Sequence, residues 1–543
     1  MAVQTQYSEA KQKPFYLAKS EVCVNAKGEC IGDGIFAGSD YGPGEHIIAV
    51  PRPLTASLDT ERLSDTCANC FVWTEGSSTG SRLYVKEGTS VQKCAGCKRF
   101  YYCSKECQKE AWHRGHKHEC KLLKPVGDKE IPKAILACVE ILTRKRYGLI
   151  PDHQWEMICR LDTHMEEYQQ NGKLHGIQLM AFGTRDLTGN AFEPEFVAAM
   201  YARILSNCLT LITPTFDPLG IFIDPLFSHL NHSCEPNAYV VMDGAETSLR
   251  TLKPIKANEE IYISYIDPTN PFARRQSELK SRWFFTCKCT KCQKETTSQE
   301  DDWAVPPQDM SDKYKKIADV ILKDKKLKEF AEDPANFVGK SKDEKRAGAL
   351  QAMAFKKYEE EQQSDPATAV DLIISGMELC HESKLWPAYR QPYAAFRDDL
   401  IVNLLSAGEY QQAFAHCAKR HRHVLPKLYP ELAHPIRVVQ TWQAASLALY
   451  LATTKEGISG VDATLMAYLL TAEVVAASQM SHGPDSAFSK SVQERFGEMD
   501  EEVRKKIGSD AVDFLKTELE NQRKTLLEMG DWDELKLENG VHY

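Results

Sequence analysis

The chain has 543 residues, of which 43% are hydrophobic and 26% charged, and its formal net charge is −9. This length exceeds what one hydrophobic core holds, and the charge argues against a protein that coats nucleic acid along its whole length. Residues 1–13 lack the pattern of a secretory signal or transit peptide, and no apolar run approaches the roughly 18 residues of a membrane span. We therefore expect no membrane contact, a cytoplasmic and nuclear location, and metal binding rather than disulfides for the 18 cysteines.

The first half of the chain alternates between strand-like and helix-like segments. The first block is residues 1–59, and short strands and turns begin at residue 20, with Gly32-Asp33-Gly34 directly before an apolar run. A cysteine-rich block follows at 60–122. Apolar residues recur on one helical face within 123–207, and strand patterns return over 208–270. Strand signals on both sides of the inserted blocks predict an interrupted β domain.

The second half reads as mostly helical. A short cysteine cluster at 271–295 is followed by the polar, proline-containing segment 296–312, which we interpret as a linker. Residues 313–543 carry helical patterns throughout. Within them, a helix, a tight break at 407–410 and a second helix resemble a tetratricopeptide hairpin.

The cysteine-rich block contains four close pairs of soft ligands, which suit two tetrahedral zinc ions with four nitrogen or sulfur donors each. The pairs are Cys67-x2-Cys70, Cys94-x2-Cys97, Cys103-x3-Cys107 and His116-x3-Cys120. We assign the first and third pairs to one zinc ion and the second and fourth pairs to the other. Sequential pairing, in which neighbouring pairs share an ion, remains an alternative. His113 and His118 are rival imidazoles, but only His116 has the three-residue spacing to Cys120.

A third ligand group is expected further along the chain. Cys287, Cys289 and Cys292 are three thiols without a fourth partner in their own segment. Cys234, within the polar heptapeptide 231–237 at the end of an apolar run, is the candidate fourth ligand. The sequence thus predicts three zinc ions.

These motifs resemble those of a known family. The block, with Lys98 to Cys103 and Gln108-x2-Ala111-Trp112, resembles a MYND zinc finger. Asn231-His232-Ser233-Cys234-x-Pro236-Asn237, followed by Ile263-Ser264-Tyr265 and Phe285-Thr286-Cys287-x-Cys289-x2-Cys292, resembles a SET domain with its post-SET zinc site. Together they resemble the SET-and-MYND (SMYD) family of protein lysine methyltransferases.

The resemblance implies an α+β fold. A β-rich SET domain is split by the MYND finger and a helical insertion, and is followed by the post-SET zinc site. An all-α, tetratricopeptide-like C-terminal domain completes the architecture that the resemblance implies.

The resemblance also implies S-adenosylmethionine as the cofactor. Glycines let the backbone approach a ligand closely, and a side-chain amide with backbone groups can serve the ammonium, carboxylate and adenine of this cofactor. The residues that match the family's cofactor motif are Gly32, Asp33, Gly34, Asn207, Asn231, His232 and Phe285.

The resemblance implies that the catalytic residues line a channel that admits the substrate lysine. Tyr265 resembles the family's tyrosine that orients donor and acceptor, and Trp283 stands where the family usually has a tyrosine. An indole lacks the phenol hydroxyl but can form a channel wall and a cation–π face. Leu209 stands where a phenylalanine is common, which would widen the channel.

The resemblance leaves two functions to distinguish. The leading prediction is a protein lysine methyltransferase that acts on a histone or another protein as a monomer and recruits proline-rich peptides through its finger. The alternative is an adaptor with an idle SET domain. A third reading is a DNA-binding regulator that works through the basic segment 98–124, which also predicts a weak contact with DNA.

Overall fold

The computed structural model describes residues 14–22, 32–74, 88–127, 129–337, 339–454, 457, 460–508 and 512–532. The chain divides into two compact units, one of residues 1–263 with 282–284, and one of residues 264–281 with 285–543. The targeting prediction for residues 1–13 falls outside the described residues.

The described strands all belong to the first unit. They are β1 (Phe15–Lys19), β2 (Asp33–Ala37), β3 (His46–Val50), β4 (Thr55–Leu58), β5 (Gln92–Lys93), β6 (Tyr101–Tyr102), β7 (Leu209–Ile212), β8 (Pro218–Ile223), β9 (Asn231–His232), β10 (Ala238–Asp243), β11 (Glu246–Thr251) and β12 (Tyr262–Ile263).

These strands form small sheets that join distant parts of the sequence. The orders are β10-β11-β3 and β4-β8-β7 in two three-stranded sheets, with β1-β2 and β5-β6 as antiparallel pairs. The pair β9 and β12 is parallel. Strands from before the finger, such as β3 and β4, therefore pair with strands from after the helical insertion, as the interrupted β domain requires.

The first unit also holds the helices of the finger and the insertion. They are α1 (Lys105–Ala111), α2 (Lys117–Leu123), α3 (Lys133–Arg146), α4 (Asp152–Arg160), α5 (Met165–Gln170), α6 (Leu174–Leu187) and α7 (Pro194–Asn207), with a π-helical turn at Trp112–His116. Ile141 and Leu142 of α3 are fully buried, and so are Met200 and Ile204 of α7. The apolar periodicity of this segment therefore marks a true core.

The described helices that follow are α8 (Phe272–Trp283), α9 (Thr290–Gln293), α10 (Asp312–Ile321), α11 (Lys325–Ala331), α12 (Lys342–Glu361), α13 (Pro366–Glu382), α14 (Tyr393–Ala407), α15 (Tyr410–Lys419), α16 (Leu425–Leu428), α17 (Pro435–Thr453), α18 (Ala463–Ser481), α19 (Ala487–Ile507) and α20 (Val512–Gly530). Helix α14 ends at Gly408 in the left-handed conformation, with a φ of 84°, which only glycine adopts without strain. The predicted helix–break–helix at 407–410 is confirmed, and the mixed architecture confirms the α+β fold class.

The segment 296–312, interpreted as a linker, has ordered contacts within the second unit. Arg390 donates hydrogen bonds to the carbonyls of Asp301 and Asp302, both at 2.6 Å. Its guanidinium also stands 3.4 Å from the centre of the Trp303 ring, which packs edge-on against Trp386. A buried arginine thus anchors this segment to the helical region. The domain boundaries themselves stay predictions.

Helix α18 has the length and apolarity of a membrane-crossing helix, but a core helix of a soluble protein passes the same test. It packs against α17, α19 and α20 of its own unit. Met466, Leu470 and Val474 on α18 are buried or nearly so. The burial of these side chains accounts for its apolar composition.

Candidate cofactor and zinc sites

The glycine segment and the Asn-His pair meet in the first unit. Strand β9 lies parallel to β12, with Asn231 opposite Tyr262. The Asn231 amide Nδ2 donates a 3.1 Å hydrogen bond to the carbonyl oxygen of Asp33, at the start of β2. This hydrogen bond joins two residues that lie some two hundred positions apart in the sequence.

Gly34 shows how closely β2 approaches this pair. A Cβ atom at Gly34 would lie 2.2 Å from Glu260 Oε1 and 2.9 Å from Asn231 Nδ2. Atoms do not approach this closely without displacement, so any larger residue would force Glu260 or Asn231 away. A side chain at position 34 would therefore disturb the hydrogen bond between Asn231 and Glu260.

Glu260 is a site residue that the sequence analysis missed. Its side chain is buried, and it accepts hydrogen bonds from Asn231 Nδ2 at 2.7 Å, Ser20 Oγ at 3.0 Å and the Tyr262 hydroxyl at 2.9 Å. The sequence places it in the turn at 256–260, where a glutamate reads as solvated. The available signal is its position directly before the apolar strand residues Ile261 to Ile263.

His232 and Asn207 have definite neighbours in the first unit. The buried His232 ring lies with Nε2 3.3 Å from Cys234 Sγ. Asn207 Nδ2 donates to the carbonyls of Asp162 at 3.0 Å and Arg203 at 2.9 Å. The Asn207 side chain thus fixes the end of α7, and its part in a cofactor site stays a prediction.

The aromatic residues predicted for the channel and for the cofactor fall in different units. Trp283 belongs to the first unit, and the Arg282 guanidinium stands 4.4 Å from its ring centre, so one face of the indole already holds a cation. Phe284, which the sequence analysis did not single out, packs edge-on against Tyr168 at 4.9 Å in the same unit. Tyr265 and Phe285 are half-buried residues of the second unit.

The finger ligands form two groups whose donor atoms all lie within 4.8 Å of one another. The groups are Cys67, Cys70, Cys103 and Cys107, and Cys94, Cys97, His116 and Cys120. This grouping confirms the alternating assignment of the pairs. The Sγ atoms of Cys70 and Cys103 are 3.6 Å apart and those of Cys94 and Cys120 are 4.0 Å apart. Tetrahedral zinc with Zn–S bonds of about 2.3 Å requires about 3.8 Å, so the ligands fit the ion.

His116 presents its two nitrogens to different partners. Nε2 lies 3.7 Å from Cys97 Sγ, on the ligand side, and Nδ1 lies 3.7 Å from a carboxylate oxygen of Glu119. A carboxylate behind a metal-binding histidine orients the ring and fixes its tautomer. His118 instead stacks on Tyr147, with ring centres 3.5 Å apart, which agrees with the choice of His116.

The third group of thiols lies in the second unit. Cys287, Cys289 and Cys292 have Sγ atoms within 4.8 Å of one another, and Cys287 is also held through its backbone, whose N–H donates to Gln276 Oε1 at 3.0 Å. Cys234 belongs to the first unit and is 2% exposed. Its predicted place as the fourth ligand stays a prediction.

Comparison with known proteins gives one family model and several relatives. The MYND finger model matches residues 67–120. The SET domain and MYND-type zinc finger protein 6 of Schizosaccharomyces pombe is 32% identical over 275 residues, which cover 50% of this chain and 52% of that protein. The chain is similar to SET-and-MYND proteins and carries a MYND finger.

Two further relatives carry enzyme names. Histone-lysine N-methyltransferase ASHR1 of Arabidopsis thaliana is 24% identical over 482 residues, covering 86% of this chain and 93% of that protein. N-lysine methyltransferase SMYD2 of Homo sapiens is 27% identical over 304 residues, covering 53% and 64%. The chain thus spans about half the length of the yeast relative, just under two thirds of the human one and nearly all of the plant one.

Proposed function

We propose that the chain is an S-adenosylmethionine-dependent protein lysine N-methyltransferase. The observation that carries the proposal is the contact of the Asn231 amide with Asp33, beside Gly34, where a larger residue would displace Glu260 or Asn231. This contact unites the motif that serves the cofactor in the family. The names of the plant and human relatives, which describe lysine methyltransferases, support the same activity.

The residues in this part of the chain fit the proposed cofactor. The Asn231 amide lies against the backbone at Asp33 and beside Gly34, and a side-chain amide with nearby backbone groups can serve the charged groups of the cofactor. When bound, the cofactor would supply a methyl group on a sulfonium. Asn231 and His232 would bind its amino-acid end, and Asn207 and Phe285 are proposed as further contacts.

Tyr265 and Trp283 are proposed to prepare the lysine substrate. A free lysine has a pKa of about 10.4, so its amine must lose a proton before it can act as a nucleophile. An aromatic channel admits the alkyl stem, excludes water and aligns the amine, which is where most of the rate gain of such a displacement arises. Tyr265 would orient the amine, and the Trp283 indole would form a wall.

We propose three zinc ions, with Cys234 as the fourth ligand of the Cys287, Cys289 and Cys292 group. The spacing of the Asn-His-Ser-Cys motif and the burial of Cys234 support this assignment. The finger, whose family fold suggests protein interaction, is proposed to recruit proline-rich peptides. We also propose that segment 98–124 makes a weak contact with DNA. The protein is proposed to be a monomer with a cytoplasmic and nuclear location.

Transfer of a radiolabelled methyl group to histones and to cell-extract proteins tests the proposed activity. We expect labelling by the wild-type chain and a loss of about tenfold or more in rate for Tyr265→Phe, since a tenfold loss corresponds to only about 1.4 kcal/mol of transition-state stabilisation. Tyr450→Phe, at a ring on α17 that is 44% exposed and far along the sequence from the motifs, is the matched control and should keep full activity.

The same assay separates an enzyme from an adaptor. Calorimetry with S-adenosylmethionine establishes whether Tyr265→Phe still binds the cofactor. A chain that binds the cofactor but labels no protein in a Tyr265-dependent manner would contradict the proposed activity and favour the adaptor.

A further inference from the structure

We infer that Phe284 is a positioning residue that fixes Trp283, its neighbour in the chain, by holding the segment 282–284 against the helical insertion. The inference rests on the proposed function and deepens it, because Trp283 is the proposed wall of the lysine channel. Two features carry it, namely the backbone conformation of Phe284 and the aromatic contacts of its ring.

The backbone of Phe284 is in a conformation that a large side chain rarely adopts. Its φ is 63°, in the left-handed region, where the Cβ atom of a residue other than glycine lies too close to the following carbonyl oxygen. Strained residues of this kind persist only where the surrounding structure holds them, and they are common at functional sites. Contacts of Phe284 with the rest of the first unit must therefore offset the strain.

The ring of Phe284 makes those contacts with the insertion. It packs edge-on against Tyr168 on α5, with ring centres 4.9 Å apart, and its centre lies 5.2 Å from that of the His164 ring, directly before α5. The half-buried ring also packs against the hydrophobic core of the first unit, which includes Leu142 and Ile204. Because edge-on aromatic pairs contribute more than their buried area alone, these contacts stabilise the position of Phe284.

Both aromatic partners of the ring are themselves held by hydrogen bonds. The Tyr168 hydroxyl lies 3.2 Å from Ser206 Oγ on α7, and both residues are buried. His164, whose φ of 50° is also left-handed, donates its backbone N–H to Asp162 Oδ1 at 2.9 Å. The carbonyl oxygen of Asp162 in turn accepts a hydrogen bond from Asn207 Nδ2 at 3.0 Å. The ring of Phe284 therefore lies against a part of the insertion that is fixed to the end of α7.

Trp283 is fixed because it directly precedes Phe284. Consecutive Cα atoms are about 3.8 Å apart, so the Trp283 backbone cannot move far while Phe284 is held. A displacement of about 1 Å near the reacting atoms can lower a rate by about a hundredfold, because the atoms lose their alignment. The contact between Phe284 and Tyr168 therefore determines how firmly the proposed channel wall is positioned.

Fluorine NMR of the chain labelled with 5-fluorotryptophan tests the inference without requiring enzyme activity. The signal that disappears in Trp283→Phe belongs to Trp283. Tyr168→Leu removes the ring that packs against Phe284 and should shift or broaden this signal. Tyr168→Phe, which keeps the ring and loses only the hydroxyl, should return the signal towards that of the wild type. An unchanged Trp283 signal in a folded Tyr168→Leu chain would overturn the inference.

A matched control separates this contact from a general loosening of the insertion. Phe196 on α7 is half-buried, as Phe284 is, and its ring also has two aromatic neighbours, Trp155 and Phe192. Phe284→Leu should alter the Trp283 signal, and Phe196→Leu should leave it unchanged. Equal changes in the two variants would overturn the inference.

A double variant tests whether Tyr168 acts on Trp283 through Phe284. Tyr168→Leu with Phe284→Leu should alter the Trp283 signal no more than Phe284→Leu alone, because both substitutions remove one contact. A further change as large as that of Tyr168→Leu by itself would overturn the inference. The wild-type chain should give a single narrow Trp283 signal, and several exchanging signals would overturn the inference even where no variant folds.

Methylation kinetics distinguish a failure of this inference from a failure of the proposed function. Tyr168→Leu should lower kcat/KM for protein methylation about tenfold and change the affinity for S-adenosylmethionine less than about twofold, since a displaced wall misaligns the lysine and not the cofactor. Phe196→Leu should change neither quantity, and an equal loss of kcat/KM in both variants would overturn the inference. A wild-type chain that methylates no protein would instead refute the proposed function, while the Trp283 signal would still test how Phe284 is held.

Discussion

At the scale of single residues, Asp399 on α14 is a carboxylate in an unfavourable place. Burial, followed by repulsion from Glu361 and Asp398, raises the pKa of the Asp399 carboxyl to about 7. Asp398 has its own cationic partner, Arg420, at 2.9 Å, whereas Asp399 receives a weak contact of 3.5 Å from Gln362. The folded chain therefore holds a proton on Asp399 that the unfolded chain, with a carboxyl pKa near 3.8, has already released.

We expect this carboxyl to reduce stability as the pH rises from about 4 to about 7, because over that range the folded state binds more protons than the unfolded state. Asp399→Asn should remove the loss and raise the free energy of unfolding at pH 8 by about 2 kcal/mol, a figure reduced for partial solvent screening. Urea unfolding at pH 5.5 and at pH 8 measures this change in the free energy of unfolding. Asp371→Asn, at an exposed position, is the control. An unchanged difference between the two pH values would contradict the expectation.

Single residues also show what the sequence could and could not predict. The zinc ligands of the finger and the Asn-His pair follow from residue type and spacing, since ligand chemistry allows few alternatives. The roles of Glu260 and Glu119 do not follow from residue type and spacing, because a glutamate is common on any surface. Their value depends on burial and on neighbours that only the folded chain supplies.

At the scale of elements, the contact between α13 and α14 depends on a missing side chain. A Cβ atom at Gly376 would lie 2.3 Å from Cζ of Phe396, which is fully buried. Gly376→Ala gains helix propensity of about 1 kcal/mol but forces the ring or a helix to move, at a cost of about 1–3 kcal/mol. We expect a net loss of about 1 kcal/mol in the free energy of unfolding, measured by urea denaturation.

Gly497 on α19 provides the matched control for this contact. A Cβ atom there would meet no atom within 4 Å, so Gly497→Ala should stabilise the chain by about 0.5–1 kcal/mol through propensity alone. If both substitutions shift the unfolding free energy in the same direction, the α13–α14 contact does not have the proposed importance.

Helices could be predicted where apolar residues recur with the helical period, because that pattern indicates one buried face. The apolar periodicity within 123–207 and the break at 407–410 correspond to helices such as α3 and to the end of α14. The segment 296–312 was harder to interpret, because its order comes from Trp303 and from Arg390, which lies some ninety residues further on. Local composition cannot report a partner at that distance.

At the scale of the whole molecule, the candidate sites are assembled from segments far apart in the chain. Strands β2, β9 and β12 contribute the residues around Asn231, and each finger site takes two ligands from each of two separated pairs. The order of blocks along the chain was predictable because the family resemblance supplies it. The contacts within the site were not, since they depend on how strands from both ends of the first unit pair.

Zinc content tests this assembly for the whole chain. We expect three zinc ions per chain by mass spectrometry of the purified protein, because three groups of donor atoms have the spacing that tetrahedral zinc requires. Cys103→Ala and Cys94→Ala should each reduce the content by one, since each removes a ligand from a different finger site. Cys138→Ala alters a buried thiol on α3 outside these groups and should retain all three.

The third zinc ion provides the most direct test, because Cys234 is only proposed as its fourth ligand. Cys289→Ala and Cys234→Ala should lose the same single zinc, and the double variant should lose no more than either alone, since the two thiols would serve one ion. A Cys234→Ala chain that keeps three ions would show that Cys234 is not a ligand. Because structural zinc contributes directly to folding free energy, the same variants should also unfold at lower urea concentration than Cys138→Ala.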